Sequence, residues 1–317
     1  MDFLRRAFGL HPEDDSRKPS DDLSMMGEPE TAPLRLDIED IVDDLKMIPE
    51  GVTRRLPDQP YIDNSLQGHF YGIATDVGMV RSNNQDAVAS FVRRINTAED
   101  QLNIGFFAVA DGMGGHLEGE KASTITIRTI EKMVMEKLVI PIISDDKSEE
   151  RPTVHEVLIE AAQEANRLVM QDVSDGGTTL TVAIILGDLI HLGHVGDTRA
   201  YIITHEHIEK ITRDHSLIER LRELNALTPE LEASQSNVLY RAIGQSESLE
   251  VDTVTRRLPL NSTLLLCSDG LWGMVDDATI RELVMDNPDP QQAADKLVAL
   301  ANTNGGMDNI SVIIVKG

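Results

Sequence analysis

The succession of apolar and polar positions divides this chain in two. Over residues 1–65 Asp, Glu, Pro and Ser dominate without sustained period, a composition that predicts a flexible acidic extension. Within it Ile38, Ile41, Val42 and Leu45 share one helical face, so a short helix is expected over 37–47. From 66 to 317 the texture is that of one folded domain. Short apolar runs at 70–77, 104–110, 180–187, 189–195, 199–204, 263–268 and 310–315 read as strands, several running into Asp or Gly. Longer stretches of helical period lie between them, at 118–138, 154–173, 279–285 and 291–302.

Strand-rich blocks alternate with helical pairs, where a doubly wound parallel sheet would place one helix after every strand. The order favours an α+β layered sandwich, mainly antiparallel sheets covered by helices. An apolar fraction of 41% is enough for a sizeable core.

Charge narrows the function classes. Acidic residues outnumber basic ones, 54 against 29, and a formal charge of -25 counts against nucleic acid or anionic membranes as partners. An acidic chain that handles phosphate needs cations and a few placed arginines to reverse the potential locally. The single cysteine, Cys267, permits no intrachain disulfide, fits a cytoplasmic setting and is expected to pack as a small hydrophobe. No run of ~18 apolar residues is present to span a bilayer, and the first residues lack a secretory signal. Neither a P-loop, a dinucleotide fingerprint nor a zinc-type Cys/His cluster occurs.

The chemistry lies at strand ends. Apolar runs lead into Asp111-Gly112, Gly196-Asp197 and Asp269-Gly270, and Asp308 stands just before the last run. Any one Asp-Gly is also an ordinary hairpin turn. Asp269, however, is followed by helix-like sequence in place of a returning strand. Carboxylates gathered at one edge of a sandwich call for hard cations with oxygen ligands, and Mg²⁺ or Mn²⁺ suits them. Two such ions ~4 Å apart lower the pKa of a shared water and clamp an in-line displacement at phosphorus. Arg81, in a polar loop after the first run, is the candidate for bidentate phosphate binding.

In order along the chain stand Gly78-x-Val80-Arg81-x-x-Asn84-Gln85-Asp86, Val109-Ala110-Asp111-Gly112-Met113-Gly114-Gly115-His116, Gly119-Glu120, Gly177-Thr178-Thr179-Leu180, His194-Val195-Gly196-Asp197-Thr198-Arg199, Asp214-His215-Ser216, Ser268-Asp269-Gly270-Leu271-Trp272 and Asp308-Asn309-Ile310. This set resembles the metal-dependent protein phosphatases of the PPM family, also called type 2C, in their bacterial form. The resemblance implies a four-layer α/β/β/α sandwich with two mainly antiparallel sheets and a metal site at one edge. It implies a serine/threonine phosphatase in which metal-bound hydroxide attacks phosphoserine or phosphothreonine directly.

On that resemblance Asp111 bridges two core Mn²⁺ or Mg²⁺ ions, the Gly112 carbonyl binds one, and Asp269 and Asp308 complete the set. Asp197 helps hold a third ion, Asp86 supports the metals or their water, and Arg81 holds the substrate phosphate. Residues 214–240 fall where the family carries a flap, and 217–227 reads as a mobile helical cover. Implied partners are phosphorylated proteins and an opposing serine/threonine kinase; the chain itself is expected to be a monomer.

Gln85 stands where many relatives have Glu, and Met113 where eukaryotic relatives place a proton-donating histidine. Water is therefore the expected acid, with His116 a weaker candidate. Thr178, Thr179, Thr198 and Arg199 are expected to fix strand ends, and Trp272 to pack in the core behind Asp269. Two other classes stay open: a phosphoprotein-binding pseudophosphatase, and a metallohydrolase of small phosphoesters.

Overall fold

The computed structural model describes residues 70–96, 101–115, 117–144, 151–228 and 238–317. The extension over 1–65 and its helix over 37–47 lie outside the described residues. Two antiparallel sheets form the centre. One has the order β1(Phe70–Asp76), β11(Ile310–Lys316), β10(Thr263–Cys267), β7(Arg199–Ile203), β8(Ile208–Lys210). The other runs β2(Asp86–Asn96), β3(Gln101–Gly114), β5(Leu180–Leu186), β6(Leu189–Val195), β9(Asp252–Arg257), with the short β4(Gly176–Thr178) added to the end of β3.

Three apolar layers hold these sheets, and strand alternation assigns residues to them. On β3, Ile104, Phe106, Ala108 and Ala110 face the helices α1(Glu118–Val134) and α3(Val154–Asp172), whereas Phe107 and Val109 face the other sheet. On β11, Ile310, Val312 and Ile314 face α6(Asp277–Asp286) and α7(Pro290–Thr303), while Ile313 and Val315 meet the inter-sheet layer. Strands buried on both faces are apolar at most positions, with the few buried polar ones, such as Thr181 and Ser311, hydrogen-bonded, which is why their sequences read as nearly unbroken runs. The outcome is the expected four-layer α/β/β/α sandwich.

Local chemistry fixes the helix ends. Thr153 and Glu156 form a reciprocal capping box at the start of α3, and Asp276 and Asp289 cap α6 and α7. The helical stretch expected over 118–138 is interrupted: α1 passes into a π-helical segment, Met135–Val139, and then α2(Ile140–Ile143). Four strands were absent from the sequence reading: β2, β4, β8 and β9. Cys267 is buried in the layer beneath α6 and α7, as expected.

Candidate active site

Antiparallel pairing brings the strand-end carboxylates to one edge. Asp86 opens β2 directly opposite Asp111 on β3. Asp269, in the short helix α5(Asp269–Trp272), follows β10, and Asp308 precedes the adjacent β11. Cys267 pairs with Arg199 on β7, so the turn holding Asp197 meets the same edge.

Two side chains pin these turns together. Asn309 Nδ2 donates to the carbonyls of Val77 and Asn83, both at 2.9 Å, and its Oδ1 accepts from the Gln85 amide at 2.8 Å. The Ser268 hydroxyl donates to Asp86 Oδ2 at 2.7 Å and accepts from the Ser311 amide at 2.9 Å. Neither Asn309 nor Ser268 was assigned a function from sequence, although each lies beside a candidate aspartate.

Asp111 is held by its backbone. Thr179 Oγ1 accepts from its amide, while the Thr178 hydroxyl and Thr179 amide donate to its carbonyl, all at 2.9 Å. Gly112 must be glycine, because a Cβ there would lie 2.2 Å from the Gly119 carbonyl oxygen and 2.6 Å from that of Gln85. Its amide donates to Gln85 at 3.1 Å.

The electrostatics set this edge apart. Burial, with Asp269 and Asp308 repelling, pushes Asp86 up to about 7 against the hydroxyls of Ser311 and Ser268. Burial and then the charges of Asp269 and Asp214 bring Asp197 to about 7 despite Arg199, and burial and Asp308 bring Asp269 to about 6. Asp111 is held well above the usual carboxylate range by burial and by Asp86, Asp269, Asp197 and Asp308. Asp86 Oδ1 and Asp269 Oδ1 are shut off from water with no hydrogen-bond partner. Unpaired anionic oxygens at such density are unfavourable unless cations or protons arrive. Among the described residues no three Cys, His, Asp or Glu side chains close into a tight ligand cluster. A hard cation that keeps several waters and takes backbone carbonyls does not require one.

Arg81 Nη2 donates to Asp308 Oδ2 at 2.5 Å, and that hydrogen bond makes the guanidinium more basic. On the opposite flank Arg199 grips Asp214 through Nε and Nη2, at 3.1 and 2.7 Å, and its guanidinium carbon lies 3.6 Å above the Trp272 ring. Trp272, partly buried, packs against the core layer beneath α6 and α7, and its Nε1–H donates to the Asp197 carbonyl at 3.2 Å. Thr198 meets Thr181 Oγ1 at 2.7 Å.

Gln85 Nε2 donates to the Gly114 carbonyl at 3.4 Å, and Met113 Sδ is 3.9 Å from Gln245 Nε2. His116 falls outside the described residues. Of the stretch read as a cover, Leu217–Glu223 is helix α4, and Asp214, His215 and Ser216 at its root are buried.

The protein-family model named Protein phosphatase 2C matches residues 80–302. The chain belongs to that family. Protein phosphatase PhpP of Streptococcus pneumoniae is 34% identical over 246 residues, covering 77% of this chain and 95% of PhpP. Serine/threonine phosphatase stp of Listeria monocytogenes is 32% identical over 244 residues, covering 76% of this chain and 93% of the relative. A crystal structure of the catalytic domain of the phosphatase PstP, described as a complex with two manganese ions, superposes with a TM-score of 0.62 at 29% identity. That match covers 78% of this chain and 97% of the PstP domain. No helix among the described residues is long and apolar enough to cross a membrane.

Proposed function

We propose that this protein phosphatase 2C-type chain is a metal-dependent serine/threonine phosphatase that hydrolyses phosphoserine and phosphothreonine in other proteins. The observation that carries this reading is the convergence of Asp86, Asp111, Asp197 and Asp269, with two orphaned buried oxygens, at the edge where Arg81 stands. Membership of a protein phosphatase family and likeness to a domain crystallised with two manganese ions support it.

Asp111, the Gly112 carbonyl, Asp269 and Asp308 are the residues to hold two Mn²⁺ or Mg²⁺ ions, and Asp197 with Asp269 a third. Bound, such ions neutralise the carboxylates, polarise the phosphate and make water acidic enough to supply a nucleophile near neutral pH. Arg81 turns from Asp308 toward the phosphoryl oxygens and fixes the phosphorus for in-line attack. Asp86, oriented by Ser268 through Oδ2, would support the metals or their water. Met113 cannot donate a proton, so the leaving alkoxide takes its proton from water. Residues 214–240, of which 229–237 lie outside the described residues, act as a cover that begins at the Arg199–Asp214 pair. An opposing serine/threonine kinase, a monomeric state and a cytoplasmic setting belong to the same proposal.

The test compares a phosphothreonine peptide with a nucleoside monophosphate in Mn²⁺ and in EDTA. Peptide turnover in Mn²⁺ alone is the expected result. Turnover of the nucleotide only would assign the site to small phosphoesters, and none of either would leave a binding protein.

A further inference from the structure

The two loops that carry Arg81 and Asp308 also carry an apolar ledge. Met79, Val80 and Met307 are 69%, 60% and 56% exposed, on a chain whose formal charge is -25. Their exposure does not come from a loose backbone. The Met79 amide donates to the Gly306 carbonyl at 2.8 Å, and Arg81 pairs with Asp308 two residues further along each loop. A Cβ on Gly78, at φ +80°, would sit 2.2 Å from the Asp308 carbonyl oxygen, so the loops pack backbone to backbone. A Cβ on Gly306 would sit 2.8 Å from Met79 Cγ, which places the methionine over the bare face of that glycine. The fold thus presents apolar side chains to solvent on a pinned support.

Exposed apolar surface of this kind marks a binding surface when it adjoins a functional site. Here the junction is covalent: Val80 precedes Arg81 and Met307 precedes Asp308. Consecutive Cα atoms are about 3.8 Å apart, so a peptide whose phosphate lies on Arg81 carries its neighbouring residues within reach of the ledge.

We propose that Met79, Val80 and Met307 form a specificity ledge that receives an aliphatic side chain one or two residues from the phosphorylated residue. The inference rests on the phosphatase reading and extends it to the substrate's flanking sequence. Acidic flanks are disfavoured by the field of the chain, and small polar flanks leave the ledge wet. The unbranched, polarisable methionines adapt to Leu, Ile, Val or Met alike, so the selected property is aliphatic bulk, not one residue type.

The test uses the full chain with Mn²⁺ and two phosphothreonine peptides that differ only in having Leu or Ser at the flanking positions. The expected preference in kcat/KM for the Leu peptide is about tenfold, the effect of partly burying one aliphatic side chain. In Met79→Ser/Met307→Ser the ratio is expected to fall below about twofold, and in Met79→Leu to stay near the wild-type value. Circular dichroism of each variant shows that it is folded. A ratio near one in the wild type, or a preference that survives the double serine variant, overturns the ledge while leaving the phosphatase reading intact. Turnover of neither peptide overturns the phosphatase reading and the ledge with it.

Discussion

The indole Nε1–H of Trp272 donates to the backbone carbonyl of Asp197 at 3.2 Å, which ties the helix begun by Asp269 to the turn after β6. Trp272 is the only tryptophan in the chain, so its fluorescence reports on this corner alone. Titration with Mn²⁺, a paramagnetic quencher, is expected to lower the emission, and Asp197→Ala to remove the weakest phase. Trp272→Phe keeps a ring but loses the hydrogen bond, worth about 0.5–1.5 kcal/mol, so its weakest Mn²⁺ site, followed by calorimetry because the fluorophore is gone, is expected to bind several-fold more weakly. Emission indifferent to Mn²⁺ would remove the metal from this corner.

Arg81 is expected to act on substrate, not on folding. It is exposed, and an exposed pair with Asp308 contributes at most about 1 kcal/mol to stability. Arg81→Ala is expected to lower kcat/KM by about a hundredfold, the loss of a charge-assisted bidentate contact, with an unchanged urea midpoint. Arg81→Lys keeps the charge but not the fork and is expected to fall between the two. A variant that loses stability in proportion to activity would make the arginine structural.

Gly112→Ala tests the tight turn after Asp111. Its Cβ would meet the Gly119 and Gln85 carbonyls, and moving that backbone is expected to cost about 1–3 kcal/mol and to weaken Mn²⁺ binding. Calorimetry that finds wild-type metal affinity would take the Gly112 carbonyl out of the ligand set.

The raised carboxylates give the metal-free protein a distinctive pH dependence. Asp86 at about 7 and Asp269 at about 6 lie above their ordinary value of 3.8, so the folded state binds protons that the unfolded state releases. Their contribution is present below about pH 4 and is lost as pH rises through about 6–7. In EDTA, Asp269→Asn is expected to flatten this decline by more than about 1.4 kcal/mol, the worth of one pKa unit. An identical slope in wild type and variant would contradict the repulsion.

His194 works in the opposite sense. Burial and then the neighbouring His215 bring it from 6.5 down to about 4, and it stays neutral, with Nδ1 at Thr181 Oγ1 and Nε2–H donating to the Arg213 carbonyl. The neutral form's advantage is present above pH 6.5 and is lost as pH falls through about 4. The unfolding free energy from denaturant titration is expected to drop across that window by up to about 3 kcal/mol more in wild type than in His194→Gln.

The doubly buried strands were legible because a strand covered on both faces has few polar positions to blur it. The edge strand β9 was not: Asp252, Thr253, Thr255, Arg256 and Arg257 alternate with little apolar content, because its outer face is solvated. β2 was hidden by Ser90, Arg93 and Arg94, and its pairing with β3 is what sets Asp86 opposite Asp111. The strand-end aspartates could be named from sequence because the carboxylates themselves bear the chemistry. Asn309 and Ser268 could not, since their function lies in which backbone groups they reach across the fold. Trp272 was read as packing in the core, and it does pack against the layer beneath α6 and α7; the hydrogen bond of its N–H to the Asp197 carbonyl was not legible in the sequence.

The most direct measurement is calorimetric Mn²⁺ binding to wild type and to Asp111→Asn, each followed by phosphothreonine-peptide turnover. At least two ions bound by wild type, loss of one or both in the variant, and loss of turnover with them is the expected result. Turnover that persists in Asp111→Asn, or in wild type stripped with EDTA, would contradict a carboxylate-held metal pair as the source of hydrolysis.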